Sequence, residues 1–274
     1  MNYEGVLQSA IAIAHEAGAV VRDAFPRAAL ARVGFKGAVN PVTETDIAAE
    51  ELIVSRLRAA FPAHRILAEE RGGDEWRLPG PPLWLVDPLD GTNNFAHGFP
   101  HVAISLALLV ERRPVVGVIY DPLRDETFAA TAGGGATLNG KPIHVSGVEH
   151  LAQAFLATGF PYDRRTASDN NVARLDHFLR RSQGVRRAGA AVLDLAYVAG
   201  GRLDGFWEMR LQPWDVAAGV LLVREAGGRV TDFDGGPDCI SGEFIVASNV
   251  LIHDQMLRVI REGVAAPTLA DNHL

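Results

Sequence analysis

A single cysteine, Cys239, is all this chain of 274 residues has, so neither an intramolecular disulfide nor a cysteine-rich metal site is open to it. No uninterrupted apolar run approaches the roughly 20 residues that a membrane-spanning helix needs, although 48% of the residues are hydrophobic. An excess of positive charge is lacking as well. Lys and Arg number 26 against 33 Asp and Glu, a net charge of −7, which argues against a general nucleic-acid binder. The N-terminus carries Glu4 and Glu16 and lacks the basic-then-apolar-then-small order of a secretory signal. There is no internal repeat. These absences leave the expectation of a soluble, cytoplasmic protein without membrane contact. With 28 Gly and 15 Pro it is long enough for one large domain or two halves sharing an interface.

What is present is organised around the stretch Trp84 to Phe95, W-L-V-D-P-L-D-G-T-N-N-F. An apolar run stops at Asp87, and Pro88 is expected to end the strand because it has no N–H for a ladder. Asp87 and Asp90 then share one turn, where their charges repel unless a cation sits between them; Mg²⁺ or Mn²⁺ is the natural occupant. Gly91 and Thr92 follow at what reads as a helix start, a place that holds phosphate. Metal beside phosphate suggests phosphoryl chemistry.

Elsewhere the pattern mixes helix and strand. An amphipathic helix is predicted from about 4 to 25, ended by Pro26, and a second from about Thr45 to Ala60, ended at Phe61-Pro62. A strand near 64–68 delivers Glu69 and Glu70, and 71–82 reads as a surface loop. Apolar runs at 101–110, 115–121 and 127–131 form an antiparallel meander, with turns at Gly133-Gly134-Gly135 and Asn139-Gly140. Beyond that point strands near 154–158, 185–188, 203–209, 229–231 and 244–247 alternate with helices near 168–180, 192–199, 216–226 and 251–261. The expected division is an N-terminal half, 1–147, and a C-terminal half, 148–274.

Three acidic places qualify as rigidly held hard-oxygen donors: Glu69-Glu70, Asp87 with Asp90, and Asp215 in P-W-D-V-A-A-G. Taken singly each has a plain alternative, namely a solvated pair, an Asx-type turn and a helix cap. Together with Thr92 they resemble the inositol monophosphatase family of Mg²⁺-dependent, lithium-inhibited phosphatases. The first signature stands here as W-L-V-D-P-L-D-G-T-N-N-F-A-H and the second as P-W-D-V-A-A-G-V-L-L-V-R-E-A-G-G. The acidic pair ends I-L-A-E-E, and R-R-A-G-A-A-V-L-D-L-A-Y-V-A-G-G-R-L-D-G-F-W-E leads to the second signature. The resemblance spans nearly the whole chain.

The resemblance implies an α/β fold, a layered α-β-α-β-α sandwich of the inositol monophosphatase and fructose-1,6-bisphosphatase type, and a homodimer. It implies that Glu69, Asp87 and the carbonyl of Leu89 bind a first Mg²⁺, and that Asp87, Asp90 and Asp215 bind a second. Thr92, with Glu69 or Glu70, orients the attacking water, while the N–H groups of Gly91 and Thr92 meet the phosphate. Glu208 and the backbone of Gly189, Ala190 and Ala191 read the alcohol, with Asp90 and Asp215 bordering it. Ala190 departs from the Ser or Thr of many relatives, which removes a hydroxyl expected to face the substrate. Lys36 and Asp46 match a segment that lies over the metals and supplies a weak third site; a surface lysine and a helix-start aspartate are the alternative.

The implied activity is hydrolysis of inositol 1-phosphate, with fructose 1,6-bisphosphate, adenosine 3′,5′-bisphosphate and histidinol phosphate as substrates of other branches. D-P-L-D-G-T superficially resembles the D-x-D-G-T of haloacid-dehalogenase-type enzymes, but the spacing is off by one and no downstream lysine and acidic pair match. Some bacterial relatives bind the transcription machinery instead, and the run Arg180-Arg181 with Arg186-Arg187 is a candidate surface, solvated arginines being the plainer reading. His97, His101 and His177 share no metal-ligand spacing.

Overall fold

The computed structural model describes residues 3–30, 33–35, 41–70 and 72–262. Helix α1 (Tyr3–Ala24) buries the stripe Val6, Ala10, Ile13, Ala14, Ala17 and Val21, as its spacing predicts. The α-helix ends at Ala24, ahead of Pro26 as expected, and a 3₁₀ turn, Phe25–Leu30, follows, in whose first turn the proline gives up only an N–H with no helical partner. The short strands β1 (Val33–Phe35) and β2 (Pro41–Thr43) pair antiparallel. Helix α2 (Glu44–Ala60) starts at a capping box between Thr43 and Asp46. Lys36 lies outside the described residues.

Strand β3 (Arg65–Ala68) runs parallel to β4 (Leu83–Asp90). Pro88 does not end β4 as expected. Pairing with β5 (Ala103–Val110) continues to Asp90 across a register shift between Asp87 and Asp90. A bulge there carries the strand past the missing N–H of Pro88. After a single turn of helix, α3 (Thr92–Ala96), the meander β5, β6 (Arg113–Asp121) and β7 (Glu126–Thr131) forms as expected. Two further strands, β8 (Gly135–Leu138) and β9 (Lys141–Pro142), lie where the glycines suggested only turns. The seven strands lie in sequence order across one sheet.

The second sheet contains β10 (Phe155–Thr158), β11 (Gly184–Arg186), β12 (Gly205–Met209), β13 (Arg229–Thr231) and β14 (Phe244–Ser248) in the order β11-β10-β12-β14-β13. Its pairs are parallel from β11 to β12 and antiparallel beyond. Four helices alternate with these strands: α4 (Val172–Leu179), α5 (Ala191–Ala199), α6 (Pro213–Glu225) and α7 (Val250–Glu262). Helix α4 starts later than its pattern suggests. Asn171, left-handed at φ 70°, is tied by its side-chain amide to Thr158 Oγ1 at 2.9 Å and Gly159 O at 2.7 Å, and it accepts from Trp207 Nε1 at 2.9 Å.

Buried side chains form one cluster between α1, α2 and the large sheet, a second around α5 and α6 between the sheets, and a third between the small sheet and α4 and α7. The result is an α-β-α-β-α sandwich, because each sheet covers an apolar face with helices on both sides. No helix among the described residues is long and apolar enough to cross a membrane.

Candidate active site

Where β4 ends, the bulge turns Asp87, Leu89 and Asp90 toward a cavity of about 220 Å³. Glu69, following β3, reaches the same cavity, and so do Gly91, Thr92, Gly189, Ala191, Glu208 and Asp215. Glu208 comes from β12 and Asp215 from the first turn of α6, so both halves of the sequence contribute. Gly91 adopts φ +90°, and a Cβ on it would stand 2.8 Å from the carbonyl oxygen of His101, so only glycine closes this turn without displacement. Two expected residues are placed elsewhere. Ala190 is fully buried, packing in the core beside Gly91 rather than lining the cavity. Glu70 does not line it either; its backbone N–H donates to Glu50 Oε2 at 2.9 Å.

The starts of α3, α5 and α6, at Thr92, Ala191 and Pro213–Asp215, border this one cavity. Each presents backbone N–H groups and the positive end of a peptide dipole, a favourable setting for anions. The acids use part of that supply. Asp90 Oδ2 accepts from Val192 N at 2.8 Å, Asp215 Oδ2 from Gln212 N at 2.8 Å, and Asp87 Oδ1 from Leu89 N at 3.0 Å. Asp215 is therefore a helix cap and a cavity residue at once.

Even so, the negative charge is under strain. Burial first, and the neighbouring carboxylates second, hold Asp87 and Asp215 well above the usual carboxylate range. Asp90 is pushed up to about 7 by the same burial, against the hydrogen bond from Val192. Glu208 is pushed up to about 8, again by burial, with the Arg187 charge opposing. Among the described residues no three His, Cys, Asp or Glu side chains already stand arranged to hold one metal ion. The donor set nevertheless fits a hard divalent cation: desolvated carboxylates that repel one another gain most from an ion that only oxygen ligands need to meet. Binding requires their outer oxygens to turn toward a common point.

One pairing was not visible in sequence. The Thr92 hydroxyl lies 2.9 Å from Asp46 Oδ1 and 3.1 Å from the Leu89 carbonyl, and it donates to them. Asp46 is 1% exposed, and its other oxygen accepts from Thr43 N at 2.8 Å and from the Thr43 hydroxyl. The signal was the T-E-T-D capping pattern, which says how Asp46 is held but not that Thr92, 46 residues later, meets it. His97 and Cys239 stay out of the site. His97 Nδ1 lies 2.7 Å from the Asn93 carbonyl, and the buried Cys239 thiol is 3.2 Å from Arg224 Nη2.

A cavity lined by buried acids and bordered by three helix starts, with both halves of the sequence contributing, is a favourable setting for an anion beside a hard cation. Comparison with known proteins gives the family. Its model, the inositol monophosphatase family, matches residues 2–265. The chain is 45% identical over 264 residues to a protein of Pseudomonas aeruginosa named Nus factor SuhB, covering 93% of this chain and 96% of that one. It is 46% identical over 219 residues to an inositol-1-monophosphatase of Synechocystis, covering 80% and 76%. The solved inositol monophosphatase of Anabaena superposes with a TM-score of 0.86 at 44% identity, covering 96% of this chain and 97% of that one. The chain belongs to the inositol monophosphatase family, and is thus a member of a family of phosphatases.

Proposed function

We propose that this protein is a Mg²⁺-dependent phosphomonoesterase that hydrolyses inositol 1-phosphate to inositol and phosphate. The observation that carries this reading is the convergence of Glu69, Asp87, Asp90 and Asp215 with three helix starts on one cavity. Glu69, Asp87, the Leu89 carbonyl, Asp90 and Asp215 are the residues that would hold metal. A divalent ion bound there neutralises phosphate charge and makes a water more acidic.

The chain's own groups do the rest. The Gly91–Thr92 turn and the α5 start orient the phosphate through backbone N–H groups and dipole. The Thr92 hydroxyl, fixed by Asp46, aligns the water for in-line attack at phosphorus and passes its proton toward the carboxylate. The P–O bond to the alcohol breaks with its electron pair on the alcohol oxygen, which takes a proton from solvent water as it leaves, and the phosphate departs with the new P–O bond to the attacking water's oxygen. Glu208, at the cavity wall, accepts from the hydroxyls of the polyol. The test is phosphate release in Mg²⁺ from inositol 1-phosphate, fructose 1,6-bisphosphate, adenosine 3′,5′-bisphosphate and histidinol phosphate, with and without Li⁺. No Mg²⁺-dependent release from any of them refutes the reading.

A second reading, contact with the transcription machinery, is supported by the name of the Pseudomonas aeruginosa relative, a Nus factor. Within the arginine run, Arg180 is paired with Asp176 and Arg181 with Glu262, while Arg186 lies 4.4 Å over the Phe155 ring. If Asp87→Asn abolishes hydrolysis but leaves the cellular phenotype intact, the biological role lies in that contact. The homodimer implied by the family is tested by sedimentation of the purified chain.

A further inference from the structure

The cavity that gathers the acids is also lined by Arg164, Arg187 and Arg210. Arg210 is committed, with Nη1 2.8 Å from Asp163 Oδ1. Arg187 is not: among the described residues it makes no hydrogen bond or ion pair. That sets it apart from other arginines beside carboxylates in this fold, where Arg56 meets Glu16 at 2.7 Å and Arg229 meets Asp254 at 2.9 Å. Its charge is nonetheless felt by Asp90, Asp194 and Glu208, favouring their ionised forms. Room for it is built in. The Arg187 guanidinium lies over Gly189, where a Cβ would stand 2.3 Å from Nη1, and Gly189 holds φ +88°. The five N–H donors of its rigid fork therefore have no partner among the described residues, and Arg187 lines the same cavity as Glu208.

A neutral polyol offers such a fork only hydroxyl oxygens, whereas a phosphate or carboxylate meets it with two charged ones. We propose that Arg187 is a specificity-determining residue that binds a second anionic group on the alcohol half of the substrate, so that a phosphomonoester carrying such a second group is preferred to its counterpart without one. The inference rests on the phosphatase reading above and extends its substrate class beyond inositol 1-phosphate to esters with a second anionic group. The plain alternative is that Arg187 only offsets the buried acids, in which case every substrate depends on it equally.

The experiment compares inositol 1,4-bisphosphate with inositol 1-phosphate, and fructose 1,6-bisphosphate with fructose 1-phosphate, in Mg²⁺, for the wild type, Arg187→Gln and Arg187→Lys. The expected wild-type preference in kcat/KM for the member with the second anionic group falls about tenfold in Arg187→Gln, mainly through KM, as loss of a charge-assisted hydrogen bond predicts. Arg187→Lys, which keeps the charge and loses the fork, falls between. A wild type without the preference overturns the proposal, as does an Arg187→Gln variant that loses activity on both members in equal proportion. Both outcomes leave the phosphatase reading standing. Absence of release from all four compounds overturns the two together.

Discussion

Thr92→Val separates the chemistry of the site from its architecture. The substitution keeps the side-chain shape and removes the hydroxyl that bridges Asp46 Oδ1 at 2.9 Å and the Leu89 carbonyl at 3.1 Å. Asp46 keeps its two hydrogen bonds from Thr43, so the folded state loses about 1 kcal/mol, roughly 2–4 °C in Tm. Catalysis loses more. Without the hydroxyl the water is no longer aligned or relieved of its proton, and general-base assistance is worth about 10²–10⁴-fold, or roughly 3–5 kcal/mol. The imbalance between these two figures is the readout: kcat at saturating Mg²⁺ collapses while the thermal midpoint barely moves. Thr92→Ser, which restores the hydroxyl, recovers most of kcat. If Thr92→Val retains kcat within about fivefold of wild type, the assignment of Thr92 and Asp46 to the attacking water is wrong.

Asp215→Asn keeps an acceptor for Gln212 N–H, so α6 stays capped, but it removes a charge from the cavity; the rise in Tm on adding Mg²⁺ weakens and activity falls by more than about 100-fold, measured by calorimetry and phosphate release. Gly91→Ala forces a Cβ to 2.8 Å from the His101 carbonyl at a left-handed φ, costing about 1–2 kcal/mol of strain and, by shifting the turn, about 100-fold in kcat/KM. Unchanged kinetics in that variant would falsify the placement of the phosphate at this turn. His101, 6% exposed and with Nε2 unpartnered, is held neutral by burial, its pKa lowered to about 4 from 6.5. The sign is that of a depressed folded pKa: stability is full above 6.5 and lost as the unfolded state takes up the proton between 6.5 and about 4, about 2 kcal/mol after allowing for partial screening. Urea unfolding across that window shows the slope in wild type and a shallower one in His101→Phe.

How much of this was legible in the sequence depends on how local the determining physics is. The helices α1 and α7 and the meander were visible because periodicity and turn residues are decided within a few neighbouring residues. The site acids were visible because each follows an apolar strand or opens a helix, a pattern the chain shows by itself. Pro88 misled for the opposite reason. Whether a proline ends a strand depends on whether the partner accepts a bulge, and that was decided by β5. Ala190 misled in the same way. Its neighbours Gly189 and Ala191 line the cavity, but an extended residue between them points its side chain to the other side, into the packing around Gly91. The Thr92–Asp46 contact and the meeting of three helix starts lie further out of reach, since they join segments that only the stacked layers bring together. Arg187 shows the same limit. In sequence it belonged to a basic run with Arg180, Arg181 and Arg186, and a shared charge suggested a shared surface. The fold separates them: two pair with acids on the surface, one covers Phe155, and Arg187 alone enters the acidic cavity. A charge run is thus no evidence of one function until the structure shows which side chains face the same way.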